Sequence, residues 1–275
     1  PPEIVVGHAG FLPPADGIPT RHGLLLTAAD LGRDAAGRWR VLADRTQNPM
    51  GAGYAMAIRR VTARALAPVH RETPLRRLRG YFDAVRSALQ ELGSSASELP
   101  RVVMLRAPDL DAAAFDELFA ATLLGFPVAV AEDLTLRGGR LWLAPTERPE
   151  RVDVLVRRVD ADLADPLDLA AGSEVGVPGL VEATRRGRVT VVNPVGAGVL
   201  ENPALAAFLP AIARALLDED LLLPSARTWW CGDDQGRRHA SAQLEDLVLA
   251  PLAPTASQGR VFVGELSREA RADLW

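Results

Sequence analysis

The sequence contains no lysine, and all 31 of its basic residues are arginine. This absence excludes a Walker-type lysine, a Schiff-base lysine and a lysine that would hold nucleotide phosphates as a point charge. A GC-rich codon bias accounts for most of the absence.

Cysteine, histidine and long apolar runs are also scarce. Cys231 is the only cysteine, so the sequence predicts no disulfide frame and no thiolate metal cage, and a reducing compartment is expected. The four histidines lack paired ligand spacing, which argues against a zinc site. No stretch of about 18 uninterrupted apolar residues and no basic-then-apolar leader occurs. We therefore expect a cytoplasmic protein without a membrane partner.

The composition is that of an ordinary globular protein. The chain has 275 residues, 48% apolar and 24% charged, which predicts one large or two medium domains. A net charge of −4 gives no indication of a nucleic-acid partner. The chain begins at Pro1 without a methionine and stops at Trp275 inside a predicted helix, so we expect it to be a fragment.

The pattern of apolar residues changes near residue 97. Before it, a hairpin turned at Ala36-Gly37 is followed by predicted helices over 56–66 and 74–92, and a polar break over 93–97 indicates a boundary. After it, strands alternate with helices. Strands are predicted over 101–106, 127–131, 152–156 and 189–192, helices over 111–124, 177–186 and 203–217, and a hairpin over 134–143. This alternation predicts an α/β fold with a mainly parallel sheet flanked by helices.

The stretch 41–60 combines polar groups with a glycine turn at the end of a predicted strand. Asp44, Arg45 and Gln47 present an acid, a base and a carboxamide where the strand gives way to a loop. Gly51 and Gly53 follow, where a backbone could come close to a ligand. A solvated turn and a ligand site both fit this pattern.

Two further strand ends carry polar side chains and glycines. The first has Arg157, Arg158 and Asp160, and the second has Asn193, Gly196, Gly198 and Glu201. Ligands of parallel sheets bind beyond the carboxyl ends of the strands, where guanidinium groups and free backbone N–H groups recognise anions. The alternative is an internal network of ion pairs beside a plain glycine loop.

Four arginines cluster around the start of the helix predicted over 74–92, namely Arg71, Arg76, Arg77 and Arg79. They fit either a solvated helix face or a phosphate cradle.

The stretch 41–60 resembles the motif of the circularly permuted ATP-grasp proteins, approximately L-A-D-R-T-Q-A-P-S-G-A-G-Y-A-L-E-N-R. Five more collinear segments resemble that family, over 157–160, 165–169, 175–180, 193–205 and 221–232. The sequence is therefore identified as a partial or degenerate member of the type 2 proteins, which resemble glutathionylspermidine synthase. The resemblance implies a permuted ATP-grasp segment over 1–93, a Rossmann-like (pre-ATP-grasp) substrate-binding region over 98–232, and the start of a truncated C-terminal ATP-grasp segment over 233–275.

The resemblance also implies a reaction and roles for residues. Such ligases use ATP and Mg²⁺ to phosphorylate a carboxylate, and an amine then displaces the phosphate to form an amide or peptide-like bond. The expected catalytic residues are Asp44 and Arg45, with Asp44 also a metal ligand. The expected nucleotide contacts are Gln47, Gly51, Gly53 and Arg59. The polar residues of the other two strand ends are expected to bind a peptide-like substrate or an amine or carboxylate small molecule.

At three positions the sequence departs from the family pattern. Ala57 and Ile58 stand where the family has Glu-Asn as Mg²⁺ ligands, and Ala250 stands where it has a lysine that touches ATP phosphates. None of these side chains offers an oxygen or a positive charge. The resemblance therefore implies a ligase domain of impaired activity. The alternative is a non-catalytic pseudo-ligase that binds or scaffolds an active homologous ligase or another protein.

Overall fold

The computed structural model describes residues 1–20, 22–93, 98–109, 112–144, 148–252 and 259–272. Its contacts divide the chain into two compact units. The first comprises 1–11, 29–45 and 198–275, and the second comprises 12–28 and 46–197. The boundary predicted within 93–97 falls mainly on residues outside the described ones, and the residues on both sides of it belong to the second unit. None of the described helices is long and apolar enough to cross a bilayer.

The helices and strands follow the sequence pattern with shifted ends. The α-helices are α1 (Pro2–Val5), α2 (Ala52–Ala65), α3 (Ala67–Glu72), α4 (Arg79–Gly93), α5 (Ala112–Leu124), α6 (Leu180–Arg185), α7 (Leu209–Leu217), α8 (Asp234–Ala242) and α9 (Arg268–Ala272). The strands are β1 (Ala28–Arg33), β2 (Trp39–Arg45), β3 (Val102–Leu105), β4 (Val128–Ala129), β5 (Leu134–Arg137), β6 (Arg140–Leu143), β7 (Glu150–Arg151), β8 (Val154–Arg157), β9 (Thr190–Val192), β10 (Val248–Leu249) and β11 (Val261–Phe262).

The second unit is built on a four-stranded sheet in the order β4-β3-β8-β9, in which every pairing is parallel. Leu105 of β3 lies between Ala129 of β4 and Arg157 of β8, so the carboxyl ends of these strands meet at one edge. Val156 of β8 pairs with Val192 of β9, which brings the residue after β9 to the same edge. The predicted parallel sheet is confirmed.

Side chains alternate between the two faces of this sheet, and each face is covered. On one face α4 and α5 pack on the strands, through Phe82, Val85, Leu89, Val102, Met104, Ala121, Val154 and Val156. On the other face lie α6 and the antiparallel sheet β5-β6-β7, through Val103, Leu105, Leu134, Leu141, Leu155, Leu180, Ala183 and Val191. Because strands buried on both faces must be apolar throughout, this packing explains their continuous runs of valine and leucine.

The first unit contains the predicted N-terminal hairpin, formed by β1 and β2. Asp34 closes its turn, where the N–H of Gly37 donates to the Asp34 carbonyl over 2.8 Å. Val41 of β2 also exchanges hydrogen bonds with Pro224 and Ala226.

The prediction of one continuous helix over 203–217 was wrong. A 3₁₀ turn over Pro203–Ala207 is followed by α7 from Leu209. Pro210 has no N–H and its ring would clash with a preceding carbonyl inside a helix, so it lies in the first turn of α7.

Candidate functional site

Residues 46–54, here called the motif loop, join β2 to α2 and contain the T-Q-N-P-M-G-A-G-Y part of the sequence motif. Thr46 is buried, and its hydroxyl donates to the carbonyl of Ala197 over 2.8 Å. Contacts from the strand ends of the second unit hold the rest of the loop, so the predicted strand-end residues and the motif come together.

Asn193, the first residue after β9, connects two backbone segments. Its Oδ1 accepts from the N–H groups of Leu25 and Leu26, each over 3.1 Å. Its Nδ2 donates to the carbonyls of Leu26 and Thr46, over 2.6 and 2.5 Å. These four bonds use both lone pairs and both N–H groups of the amide, which is only 2% exposed. Asn193 therefore positions backbone in this state and has no polar group left for a substrate.

Arg157 and Arg158, at the end of β8, hold the middle of the loop. Arg157 is 1% exposed and donates to the carbonyls of Val159 and Gln47, the latter over 3.0 Å. Arg158 donates to the carbonyl of Pro49 over 2.8 Å. The Gln47 side chain is also engaged, since its Oε1 accepts from the N–H of Ala161 over 2.7 Å.

Asp116 caps helix α2 from the neighbouring helix α5. Its carboxylate accepts from the N–H groups of Gly51 and Tyr54, over 2.8 and 2.9 Å, whereas α2 has no capping side chain of its own. A negative charge at a helix N-terminus is stabilised by the free N–H groups and by the helix dipole. The end of the motif loop is thus fixed by a buried carboxylate.

The two glycines of the loop serve different needs. Gly51 has a φ of 109°, which favours glycine strongly. At Gly53 a Cβ atom would lie 2.6 Å from the Asp116 carbonyl oxygen and 2.9 Å from its Oδ1. Gly53 is therefore required for the close packing of α2 on α5.

The charges behind the loop form a buried cluster, here called the strand-end cluster: Arg106, Asp116, Glu117 and Arg158. Arg158 lies 3.9 Å from both carboxylates, and Arg106 lies 3.3 Å from Glu117. Each of these side chains is at most 8% exposed. Burial lowers the pKa of the Arg158 guanidinium, and the Glu117 and Asp116 carboxylates act in the opposite direction. Burial likewise raises the pKa of the neighbouring Tyr81 hydroxyl.

The buried polar atoms of this region that lack a hydrogen-bond partner among the described residues include Asn48 Oδ1 and Arg158 Nε, the latter 3.9 Å from Glu117 Oε1. They belong to residues that are themselves joined, since Asn48 Nδ2 donates to the Arg158 carbonyl over 2.7 Å. These two atoms are an acceptor and a donor to which a ligand or water can bond.

Five further predicted site residues are Gly196, Asp160, Arg59, Gly198 and Glu201. Gly196 is half-buried, and a Cβ atom on it would lie 4.0 Å from the Ala15 side chain. Asp160 is exposed, and the Arg59 guanidinium donates to the carbonyl of Arg76 over 3.3 Å. Gly198 and Glu201 belong to the first unit. There, a Cβ atom on Gly10 would lie 2.5 Å from the Gly198 carbonyl carbon, so two backbones approach closely.

Asp44 and Arg45 are the last two residues of β2, in the first unit. Arg45 is exposed and pairs with Asp30 over 2.7 Å across the hairpin. Asp44 is half-buried, and this burial raises the pKa of its carboxyl. The ionised form of Asp44 is thus disfavoured here, and a neighbouring cation would relieve that cost.

This shift predicts a pH-dependent effect of Asp44→Asn. Because the folded-state pKa lies above the ordinary value of 3.8, the ionised carboxylate costs stability at neutral pH, and that cost fades as the pH falls through the folded pKa. We expect the variant to melt at a higher temperature than the wild type at pH 7, with a smaller difference at pH 4. Calorimetric scans at both pH values test this, with Asp16→Asn as an exposed control. A wild type more stable than the variant at pH 7 would contradict it.

Sequence reasoning missed the acidic half of the strand-end cluster. Asp116 and Glu117 lie within a segment interpreted only as an amphipathic helix, between alanine, phenylalanine and leucine residues. A pair of acids surrounded by apolar residues on a buried helix is the signal that was available, because unpaired buried carboxylates are costly. The roles of the predicted site residues in binding or catalysis stay predictions.

The parallel sheet flanked by helices, with polar side chains and a glycine-bearing loop at its carboxyl edge, defines an α/β protein, a class in which ligands bind at that edge. The chain belongs to the circularly permuted ATP-grasp type 2 family, whose model matches residues 1–275. This membership supports a ligase-like function.

Relatives occur in mycobacteria and a cyanobacterium. An uncharacterized protein of Mycobacterium tuberculosis is 44% identical over 277 residues, which cover 100% of this chain and 31% of that protein. An uncharacterized protein of Synechocystis is 31% identical over 276 residues, which cover 100% of this chain and 57% of that protein. Another from M. tuberculosis is 31% identical over 270 residues, 98% of this chain and 49% of its own length. The chain thus spans about a third to just over half of these relatives.

The family generally uses ATP and Mg²⁺, and the described residues do not fit the metal part of that requirement. Mg²⁺ takes oxygen ligands in octahedral geometry. Among the described residues no group of three or more His, Cys, Asp or Glu side chains could hold a metal ion. On α2, Ile58 presents an apolar side chain that is 59% exposed, and neither it nor Ala57 supplies an oxygen.

Proposed function

We propose that this chain is a domain of an ATP-dependent carboxylate-amine ligase, which forms amide or peptide-like bonds, and that its own residues supply only part of that chemistry. The domain is catalytically impaired in this proposal. With Cys231 as the only cysteine, we place it in the cytoplasm.

One contrast carries the proposal. Buried side chains hold the motif loop at Thr46, Gln47, Pro49, Gly51 and Tyr54. The backbone of the family motif is thus held in place, although this requires the burial of several charges. The family's expected metal and lysine positions nevertheless hold two alanines and an isoleucine.

The groups that retain binding capacity favour a peptide-like ligand. Arg158 Nε is a donor and Asn48 Oδ1 is an acceptor, the hydrogen-bonding complements of an amide carbonyl and an amide N–H. Asn193 and Gln47 support this role indirectly, because they fix the backbone from which Asn48 projects.

Calorimetric titration of magnesium-ATP into the full-length natural protein tests the proposal. Magnesium ligands and positive side chains offset the negative charge of a bound triphosphate, and three positions expected to do so are altered here. We expect no binding in the micromolar range. Micromolar binding that Asp44→Ala abolishes would contradict the proposed impairment and indicate a working nucleotide site.

The alternative is a non-catalytic pseudo-ligase that acts as a binding or scaffolding partner. The exposed apolar side chain of Ile58 at an expected metal position favours it, because a retained catalytic surface would be polar there. Turnover separates the two functions, since an impaired ligase releases phosphate from ATP slowly when a suitable carboxylate and amine are supplied, whereas a pseudo-ligase does not.

A further inference from the structure

The solvent-facing side of α2 carries an apolar stripe. Tyr54, Ile58 and Val61 are 39%, 59% and 65% exposed, and they recur at i, i+4 and i+7, so they lie in one line along the helix. Another side of α2 is already used, since Gly53 is buried against Asp116 of α5. The stripe is therefore an additional packing surface on a helix that already has a packed face.

The stripe continues onto α5. Phe115 and Leu118 are 47% and 41% exposed. The ring of Phe115 lies 5.0 Å from that of Tyr54 and 5.5 Å from that of Phe119, measured between centroids. We call the combined face the α2 surface: Tyr54, Ile58, Val61, Phe115 and Leu118.

The chain around this surface is strongly basic. Residues 50–83 contain seven arginines against two acids, Glu72 and Asp83, a formal charge of +5 in a protein whose total is −4. The arginines are Arg59, Arg60, Arg64, Arg71, Arg76, Arg77 and Arg79. Arg60 lies over the ring of Phe119 at 5.2 Å. No described carboxylate lies within ion-pair distance of Arg59, Arg60 or Arg64.

This arrangement fits one kind of occupant. A narrow stripe at i, i+4 and i+7 on an exposed helix matches the seam between two packed helices, and the flanking arginines call for carboxylates on the partner. A second copy of the chain would place arginines opposite arginines in a two-fold contact, which costs free energy. A bilayer is less suitable, because the stripe is narrow compared with the wide apolar face of membrane-surface helices.

We propose that the α2 surface is a docking site for an acidic amphipathic helix of a separate protein. The apolar stripe packs between the apolar positions of that helix, and the arginines beside it pair with its glutamates and aspartates. The site does not depend on whether the domain binds ATP.

The test uses the purified full-length protein and a synthetic, fluorescently labelled 21-residue helix that has leucine at i, i+3/4 and i+7 and glutamate at the flanking positions. Fluorescence anisotropy measures its binding beside three comparison probes. These are the same peptide with lysine for glutamate, a scrambled peptide of equal composition, and vesicles of phosphatidylcholine and phosphatidylglycerol. Of the four probes, we expect only the acidic helix to bind measurably.

Val61→Asp and Arg64→Glu serve as the site variants. Both residues are exposed, so the fold should tolerate the changes, which circular dichroism verifies. Leu222→Asp is the matched control, because this leucine is 99% exposed and lies in the other unit. We expect each site variant to weaken binding at least tenfold and the control to change it less than twofold.

Three outcomes overturn the proposal. The first is equal binding of the scrambled peptide, which would mean unspecific charge attraction. The second is binding to vesicles as strong as to the helix, which would mean a membrane surface. The third is magnesium-ATP competing with the helix through Arg59, which would assign the basic residues to the nucleotide.

Discussion

Replacing Asn193 by alanine is expected to lower the free energy of unfolding by about 4 kcal/mol, because four backbone groups lose their partner and each unsatisfied buried group costs about 1–3 kcal/mol, partly recovered by water. The N–H groups of Leu25 and Leu26 and the carbonyls of Leu26 and Thr46 are those four. Urea denaturation followed by circular dichroism measures the loss.

Two further variants make this result specific. Asn193→Asp keeps the acceptor for Leu25 and Leu26 but loses the two donors and adds a buried charge, so it should be at least as destabilised as the alanine variant. Gln243→Ala, at an exposed amide, should change stability by less than about 0.5 kcal/mol. A loss below about 1 kcal/mol for Asn193→Ala would show that Asn193 does not fix the loop.

The same substitution at two glycines should have opposite effects. Gly53→Ala is expected to destabilise the fold by about 3 kcal/mol, because its Cβ atom would overlap the backbone oxygen of Asp116 at 2.6 Å. Gly80→Ala, near the start of α4 where no atom lies within 4 Å of the new Cβ, should stabilise it by about 0.5–1 kcal/mol. Thermal and urea unfolding of the pair measure both.

The pair separates packing from ligand binding as the reason for Gly53. A Gly53→Ala protein of wild-type stability would show that α2 is free to move away from α5. Its glycine would then have to be explained by a bound molecule instead.

Much of the fold follows from local sequence signals. Continuous apolar runs ending in Arg106, Arg157 and Asn193 predict buried parallel strands whose polar ends share an edge, and the structure places them there. The observed strand ends differ from the predicted ones by one or two residues, because hydrogen bonding at the end of a strand depends on the neighbouring strands. The division into two units could not be predicted in this way, since each unit joins segments that are distant in sequence.

The use of the polar residues was harder to predict than their position. Arginines at a strand end favour an anion site or an ion-pair network equally from sequence, and only coordinates show that Arg157 is 1% exposed and bonded to loop carbonyls. Likewise, the sequence suggests that Gly53 makes room for a ligand, whereas the structure shows Asp116 packed against it.

Electrostatics explains why the strand-end cluster remains charged. Arg158, buried at 7% side-chain exposure, would be costly alone, and Asp116 and Glu117 offset that cost. The cost of burying the Asp116 carboxylate is offset further by the N–H groups at the N-terminus of α2. The motif loop is thus held by groups that cannot easily be removed singly, which is consistent with a frame that outlasts its catalytic side chains.

We propose that this domain keeps the ATP-grasp fold without the groups that bind the nucleotide phosphates and metal. Restoring those groups tests it most directly, through the variant Ala57→Glu/Ile58→Asn/Ala250→Lys in the full-length protein. Ile58 and Ala250 are exposed and Ala57 is half-buried, so the fold should accept the changes. Calorimetric titration of magnesium-ATP should give no micromolar binding for the wild type and at least tenfold tighter binding for the variant. Equal, micromolar binding by both proteins would contradict the claim.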